Sequence, residues 1–98
     1  MSSLALRAYK NLVADLGCAV EGCGQPAHLH HPRFASGAGQ RSSDWLVIPL
    51  CPSHHQHGGH GVALHAGQKT FEGLYGSEEK LLAQTIERVF SEMTKRSL

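Results

Sequence analysis

The chain has 98 residues, 41% of them hydrophobic, and its 9 basic and 8 acidic side chains leave a formal charge of +1 with histidine neutral. That length suits a single domain over residues 1–98 with no room for a second; a net charge of +1 is uninformative by itself, and with the balance nearly even any grip on phosphate has to come from locally placed cations and a bound metal. No apolar run approaches the ~20 residues a membrane span needs and no signal-peptide pattern is present, so a cytoplasmic protein without membrane contact is expected.

In chain order, residues 4–16 bring Ala5, Ala8, Leu12, Val13 and Leu16 near one face, with Ser2 or Ser3 as N-cap and Gly17 as stop, which predicts an amphipathic scaffold helix. Residues 18–25 carry Cys18, Gly22, Cys23 and Gly24; glycines beside a Cys-x4-Cys spacing let the backbone turn sharply enough to aim both sulfurs at one point. Residues 26–31 read as a short strand with His28 and His30 on one face and Leu29 and His31 on the other. A glycine- and serine-rich loop is expected over residues 32–43, and a returning strand over 45–50, with Pro49 tolerated at an edge or end and Trp45 in the core.

Pro52 can open a helical turn that brings Cys51 and His54 to the spacing of a zinc knuckle and puts His55 at the next position, before Gly58, Gly59 and Gly61 break it. A short helix is predicted over residues 68–75, with Phe71, Leu74 and Tyr75 inward and Gly76 as stop. Ser77 caps a final helix over 78–95, in which Glu78 and Glu79 suit the positive end of the dipole and Leu82, Ile86, Val89, Phe90 and Met93 form the buried stripe. The fold class is α+β.

All eight histidines fall in two stretches, 27–31 and 51–65, and the second also holds one of the three cysteines. An odd cysteine count argues against a closed disulfide framework, and Cys-x4-Cys followed by Cys-x2-His reads as zinc ligands. Cys18, Cys23, Cys51 and His54 are the candidate structural set, with His57 or His60 as substitutes for the fourth ligand. The second constellation is His30 and His31 with His55 and either His60 or His65. Adjacent strand residues face opposite ways, so one of the pair can ligate a metal while the other activates water. A lone histidine is usually a solvated or hydrogen-bonded residue; eight in two stretches point to metal, either catalytic or a second structural zinc. Arg33 and Lys69 are candidate phosphate contacts, equally readable as ordinary solvated cations.

These residues resemble those of the HNH, or ββα-metal, endonucleases, in which a strand ending in two key residues is followed by a second strand, a knuckle and a helix. More narrowly, Pro49-Leu50-Cys51-Pro52-Ser53-His54-His55 and the stretch from Gly58 to Glu72 resemble the phage recombination-enhancement (Ref) nucleases. The resemblance implies a zinc-stabilised ββα-metal core over about residues 18–75 with flanking N- and C-terminal helices. It implies metal-dependent hydrolysis of DNA phosphodiesters in phage or prophage recombination, beside a recombinase filament. Carried over by position, His30 and His55 ligate the catalytic divalent metal (Mg2+ or another) and His31 is the general base; Arg33, read from the residues as a phosphate contact, is placed with His30 and His31 in the catalytic group. The usual third ligand, four residues after His55, is here Gly59, which makes His65 the first choice and His60 the second. The asparagine that names the motif falls at Leu46, and the nearest polar residue is Asp44. The alternative is a zinc-stabilised nucleic-acid-binding or assembly module without catalysis.

Overall fold

The computed structural model of the chain describes residues 3–33, 43–59 and 62–97. The expected loop over 32–43 therefore lies mostly outside the described residues, as does His60. Three helices and one two-stranded sheet follow in the order α1 (Leu4–Asp15), β1 (His28–His30), β2 (Ile48–Leu50), a wide helical turn at Ser53–His57, a single 3-10 turn at Leu64–Ala66, α2 (Gln68–Tyr75) and α3 (Glu78–Ser97). This is a small α+β arrangement, as expected.

Helix α1 starts where Ser3 Oγ accepts the Leu6 N–H at 3.0 Å. Beyond its end the chain turns at Gly17, whose φ of +79° is a left-handed conformation and whose Cβ, were there one, would lie 2.7 Å from the Gly24 carbonyl oxygen. Only glycine satisfies both conditions. That close approach lets the Cys18 N–H donate to Gln25 O at 2.9 Å and the Ala19 N–H to Pro49 O at 2.7 Å, so the loop after α1 is tied to β2.

The strands are shorter than expected, three residues each, paired antiparallel with His28 opposite Leu50 and His30 opposite Ile48. The expected strand start at Trp45 is instead a turn, in which Ser43 Oγ accepts from the Trp45 N–H and Ser43 O from the Leu46 N–H. Pro49 sits inside β2 without loss. The amide and carbonyl of one strand residue point to the same side, and Pro49 O faces Ala19, so the missing N–H is on the side away from β1.

β2 and Val47 just before it are wholly buried and join two apolar groups: Ile48 and Leu50 with Cys18, Val20, Leu64, Phe71, Leu81 and Leu82, and Val47 with Val13 and Val89. Several residues expected in the core lie outside it. Leu74 is 63% exposed, Phe90 64% and Met93 46%, while Trp45 is 45% exposed and stacks on Tyr9 with centroids 4.9 Å apart. The buried face of α3 runs through Glu78, Leu81, Leu82, Thr85 and Val89. Its 20 residues, continuing to Ser97 rather than ending at 95, extend past the body that the first half packs on.

Phe71 is fully buried and belongs to the same apolar group as Ile48 and Leu50 of β2. Phe71→Ala is expected to remove about 3–5 kcal/mol, most of what a domain this small commands; chemical denaturation measures it.

Candidate metal centres

The loop after α1 supplies Cys18 and Cys23, and the segment leaving β2 supplies Cys51 and His54. Their ligand atoms all lie within 4.8 Å of one another. His54 Nδ1 is 3.4 Å from Cys18 Sγ and 3.2 Å from Cys51 Sγ, and Cys23 Sγ is 3.8 Å from Cys51 Sγ. A tetrahedral zinc ion with ordinary bond lengths has sulfur–sulfur edges of about 3.8 Å and sulfur–nitrogen edges of about 3.6 Å, so these atoms fit that ion closely. All three cysteines are free thiols.

The electrostatics agree with a cation at the centre. Burial pushes the Cys18 thiol up to about 12. At Cys51 burial acts in the same direction, but the His54 backbone N–H, the neighbouring thiols and the Ser53 backbone N–H outweigh it and lower its pKa. Burial also lowers the pKa of His54, keeping its imidazole neutral. Three crowded sulfurs cannot all ionise without a positive charge among them. Tyr75 closes one side, its ring edge-on to His54 at 5.2 Å.

The turn at Ser53–His57 divides the two centres. Gly58 N–H reaches back to Ser53 O, giving a wide turn in which a Cβ on Gly58 would strike that oxygen at 2.5 Å. Successive residues of the turn point in different directions, so His54 faces the cysteines while His55 faces β1.

There a second group forms, from His30, His55 and His65. His55 Nε2 lies 3.3 Å from His30 Nδ1 and 3.0 Å from His65 Nε2. Three nitrogens bound to one metal at ordinary lengths are about 3.0 Å apart at right angles and about 3.4 Å apart at tetrahedral angles, which spans these values. Of the two candidates for third member, His65 is brought to the other two imidazoles, and His60 lies outside the described residues.

Two further groups hold this cluster. Glu78, at the start of α3, is 2% exposed, and its Oε2 accepts from His30 Nε2 at 2.8 Å and from the Arg33 N–H at 3.1 Å; its Oε1 accepts from Gln68 Nε2 at 2.8 Å. Burial raises the pKa of that carboxyl, and the His30 hydrogen bond and charge, with the Arg33 N–H and charge, overcome this and bring it below the usual range. With the carboxylate taking the Nε2 proton, His30 presents its Nδ1 lone pair to the cluster, the carboxylate–histidine–metal arrangement. His65 is reached from the other side by Arg33 Nη2, 2.9 Å from its Nδ1. Burial, then the charges of His30 and Arg33, lower the pKa of His65 against the pull of Glu78.

His31 stands apart from the three imidazoles, one residue beyond β1. Its Nε2 donates to Asp44 Oδ1 at 2.7 Å, both side chains being half-buried. Lys69 is exposed on α2. Sequence reasoning passed over Glu78 and Gln68 as site residues. Glu78 was legible only as a helix-dipole partner, because nothing local to it reveals a histidine 48 positions earlier.

A small α+β domain thus carries two side-chain clusters with the donor sets of metal sites, one sulfur-rich and one all-imidazole. The chain belongs to the family described as recombination enhancement, RecA-dependent nuclease, which it matches over residues 5–90. It is 33% identical over 86 residues to the uncharacterized protein YdfU of Escherichia coli (strain K12); the match takes in 85% of this chain and 22% of that protein, so the chain spans about a fifth of its relative's length. Among the described residues no helix is long and apolar enough to cross a membrane.

Chelation, or Cys51→Ser, is expected to abolish the cooperative melt followed by circular dichroism, since binding energy in a small site of this kind is folding energy. Glu78→Gln should lower the affinity of the imidazole cluster for a divalent ion by about 10–100-fold while metal uptake by the sulfur-rich cluster stays at its wild-type level. Mn2+ titration and metal analysis read the two.

Proposed function

We propose that the chain is a divalent-metal-dependent DNA endonuclease of the HNH, ββα-metal type, acting in phage or prophage recombination alongside a recombinase filament, in the cytoplasm. The observation that carries this reading is the end of β1: His30 faces two other imidazoles, and His31, beside it, faces a carboxylate instead. In this reading Cys18, Cys23, Cys51 and His54 hold a structural zinc, and His30, His55 and His65 hold the catalytic ion. Such an ion supplies charge stabilisation to a phosphoryl oxygen as the phosphodiester is attacked.

The remaining steps belong to the side chains. Asp44 accepts the Nε2 proton of His31, which fixes the tautomer and leaves the Nδ1 lone pair to take a proton from the attacking water. Asp44 would thereby take the orienting role of the motif asparagine, whose place is Leu46. Arg33 offers a planar donor pair to the phosphate. An imidazole set suits first-row transition ions better than Mg2+, so Mn2+ should support more activity than Mg2+. The reading without catalysis leaves the His31–Asp44 pair without a use.

Plasmid and single-stranded DNA, incubated with zinc-replete protein and Mn2+ or Mg2+, with and without a recombinase filament, should be cut. His31→Ala should cut at least about a hundredfold more slowly with unchanged zinc content. Absence of metal-dependent cleavage under every condition, or equal cleavage by His31→Ala, would sink the assignment.

A further inference from the structure

Trp45 is the one tryptophan of the chain, and it is 45% exposed instead of lying in the core. A single apolar side chain at the surface needs no function to explain it. What sets Trp45 apart is what stands behind it and beside it. The turn that carries it is fixed by Ser43, whose Oγ accepts from the Trp45 N–H at 3.2 Å and whose carbonyl accepts from the Leu46 N–H at 3.0 Å. Against the indole lies the ring of Tyr9 from α1, with centroids 4.9 Å apart and planes inclined by 40°. Tyr9 is half-buried and packs on the apolar group of Val13, Val47 and Val89. The indole is thus backed by the body of the protein while nearly half of it meets solvent.

This aromatic ledge adjoins the His31–Asp44 pair. Asp44 immediately precedes Trp45, and its Oδ1 lies 2.7 Å from His31 Nε2. Strand alternation leads to the same place from the other direction. Leu29 packs on the apolar group that supports Tyr9, and His31, two residues on, continues the Leu29 side of β1 and not the His30 side. One side of the strand therefore carries the imidazole–carboxylate pair and an open aromatic ring together.

We propose that Trp45, backed by Tyr9, is a stacking platform for one unpaired nucleobase of the substrate strand, next to the phosphate that His31 addresses. The inference rests on the nuclease reading above and adds the substrate class. Every base has a π-face, so an indole holds a strand in place without reading its sequence. With a formal charge of only +1, the chain has few phosphate contacts to offer, and stacking supplies grip that they do not. Inside a duplex each base is already stacked between its neighbours, and drawing it out is costly. A single strand presents its bases free, so it should be bound in preference to a duplex.

The lone tryptophan makes the test direct. The protein, without added Mn2+ so that no strand is cut, is titrated with a single-stranded oligonucleotide and with an abasic strand of the same length and charge. The intact strand should quench the indole fluorescence and the abasic strand should leave it near its starting value; this arm needs no variant. Trp45→Ala should weaken binding of a labelled single strand on the order of tenfold, and Trp45→Phe should recover most of the loss. Circular dichroism and the Mn2+ affinity of the imidazole cluster should stay at wild type in both variants. Equal quenching by the two strands, or wild-type single-strand affinity in Trp45→Ala, overturns the proposal. Where the wild type cuts DNA and its indole still does not respond to bases, the platform alone falls; where it binds no strand of either kind, the nuclease reading falls with it.

Discussion

The convergence of Cys18, Cys23, Cys51 and His54 is the constraint on which the rest of the molecule depends. Two strands of three residues cannot hold a sheet by themselves. What keeps β1 and β2 in register is the loop after α1, tied to Pro49 by a backbone hydrogen bond and to the segment beyond β2 by the sulfur cluster. With the loop held there, Cys18 and Cys51 join the larger apolar group rather than standing beside it. The same four side chains fix the turn at Ser53–His57, and that turn aims His55 at β1.

A second organising element works by charge rather than by cross-linking. Glu78 stands at the start of α3, where the helix dipole favours a carboxylate, and it is almost wholly removed from water. Burying an ion is costly unless its lone pairs are met, and here His30, the Arg33 backbone and Gln68 meet them. One carboxylate thereby joins β1, the residues after it, α2 and α3. Its partner Arg33 reaches His65 from the same neighbourhood, so the imidazole cluster is held between an acceptor on one side and a donor on the other.

The soft-ligand set was legible because its information is local. Cys-x4-Cys with flanking glycines and Cys-x2-His with a leading proline each describe a turn, and turns are short-range objects. Helix starts were legible for the same reason: Ser3 and Ser77 accept the N–H groups that a helix end leaves over. The apolar stripe of α3 was less legible. Periodicity does not fix the buried face to the residue or say how far along the helix the body extends: Phe90 lies one position round from buried Val89, Met93 one turn beyond it, and both are exposed. Trp45 likewise reads as a strand residue until Ser43 folds the chain into a turn.

The sequence by itself determined the family, the α+β class, the three cysteines that come together with a histidine, and the histidines among which a second cluster had to be found. Tertiary structure decided that His65 meets His30 and His55 and which groups stand behind them, because those pairings depend on where α3 begins relative to β1 and on how the wide turn rotates His55. It also decided the ring protons. An imidazole is symmetric in its options until a partner claims one nitrogen, and the partners of His30 and His31 are Glu78 and Asp44, each placed by the fold rather than by neighbourhood in the chain.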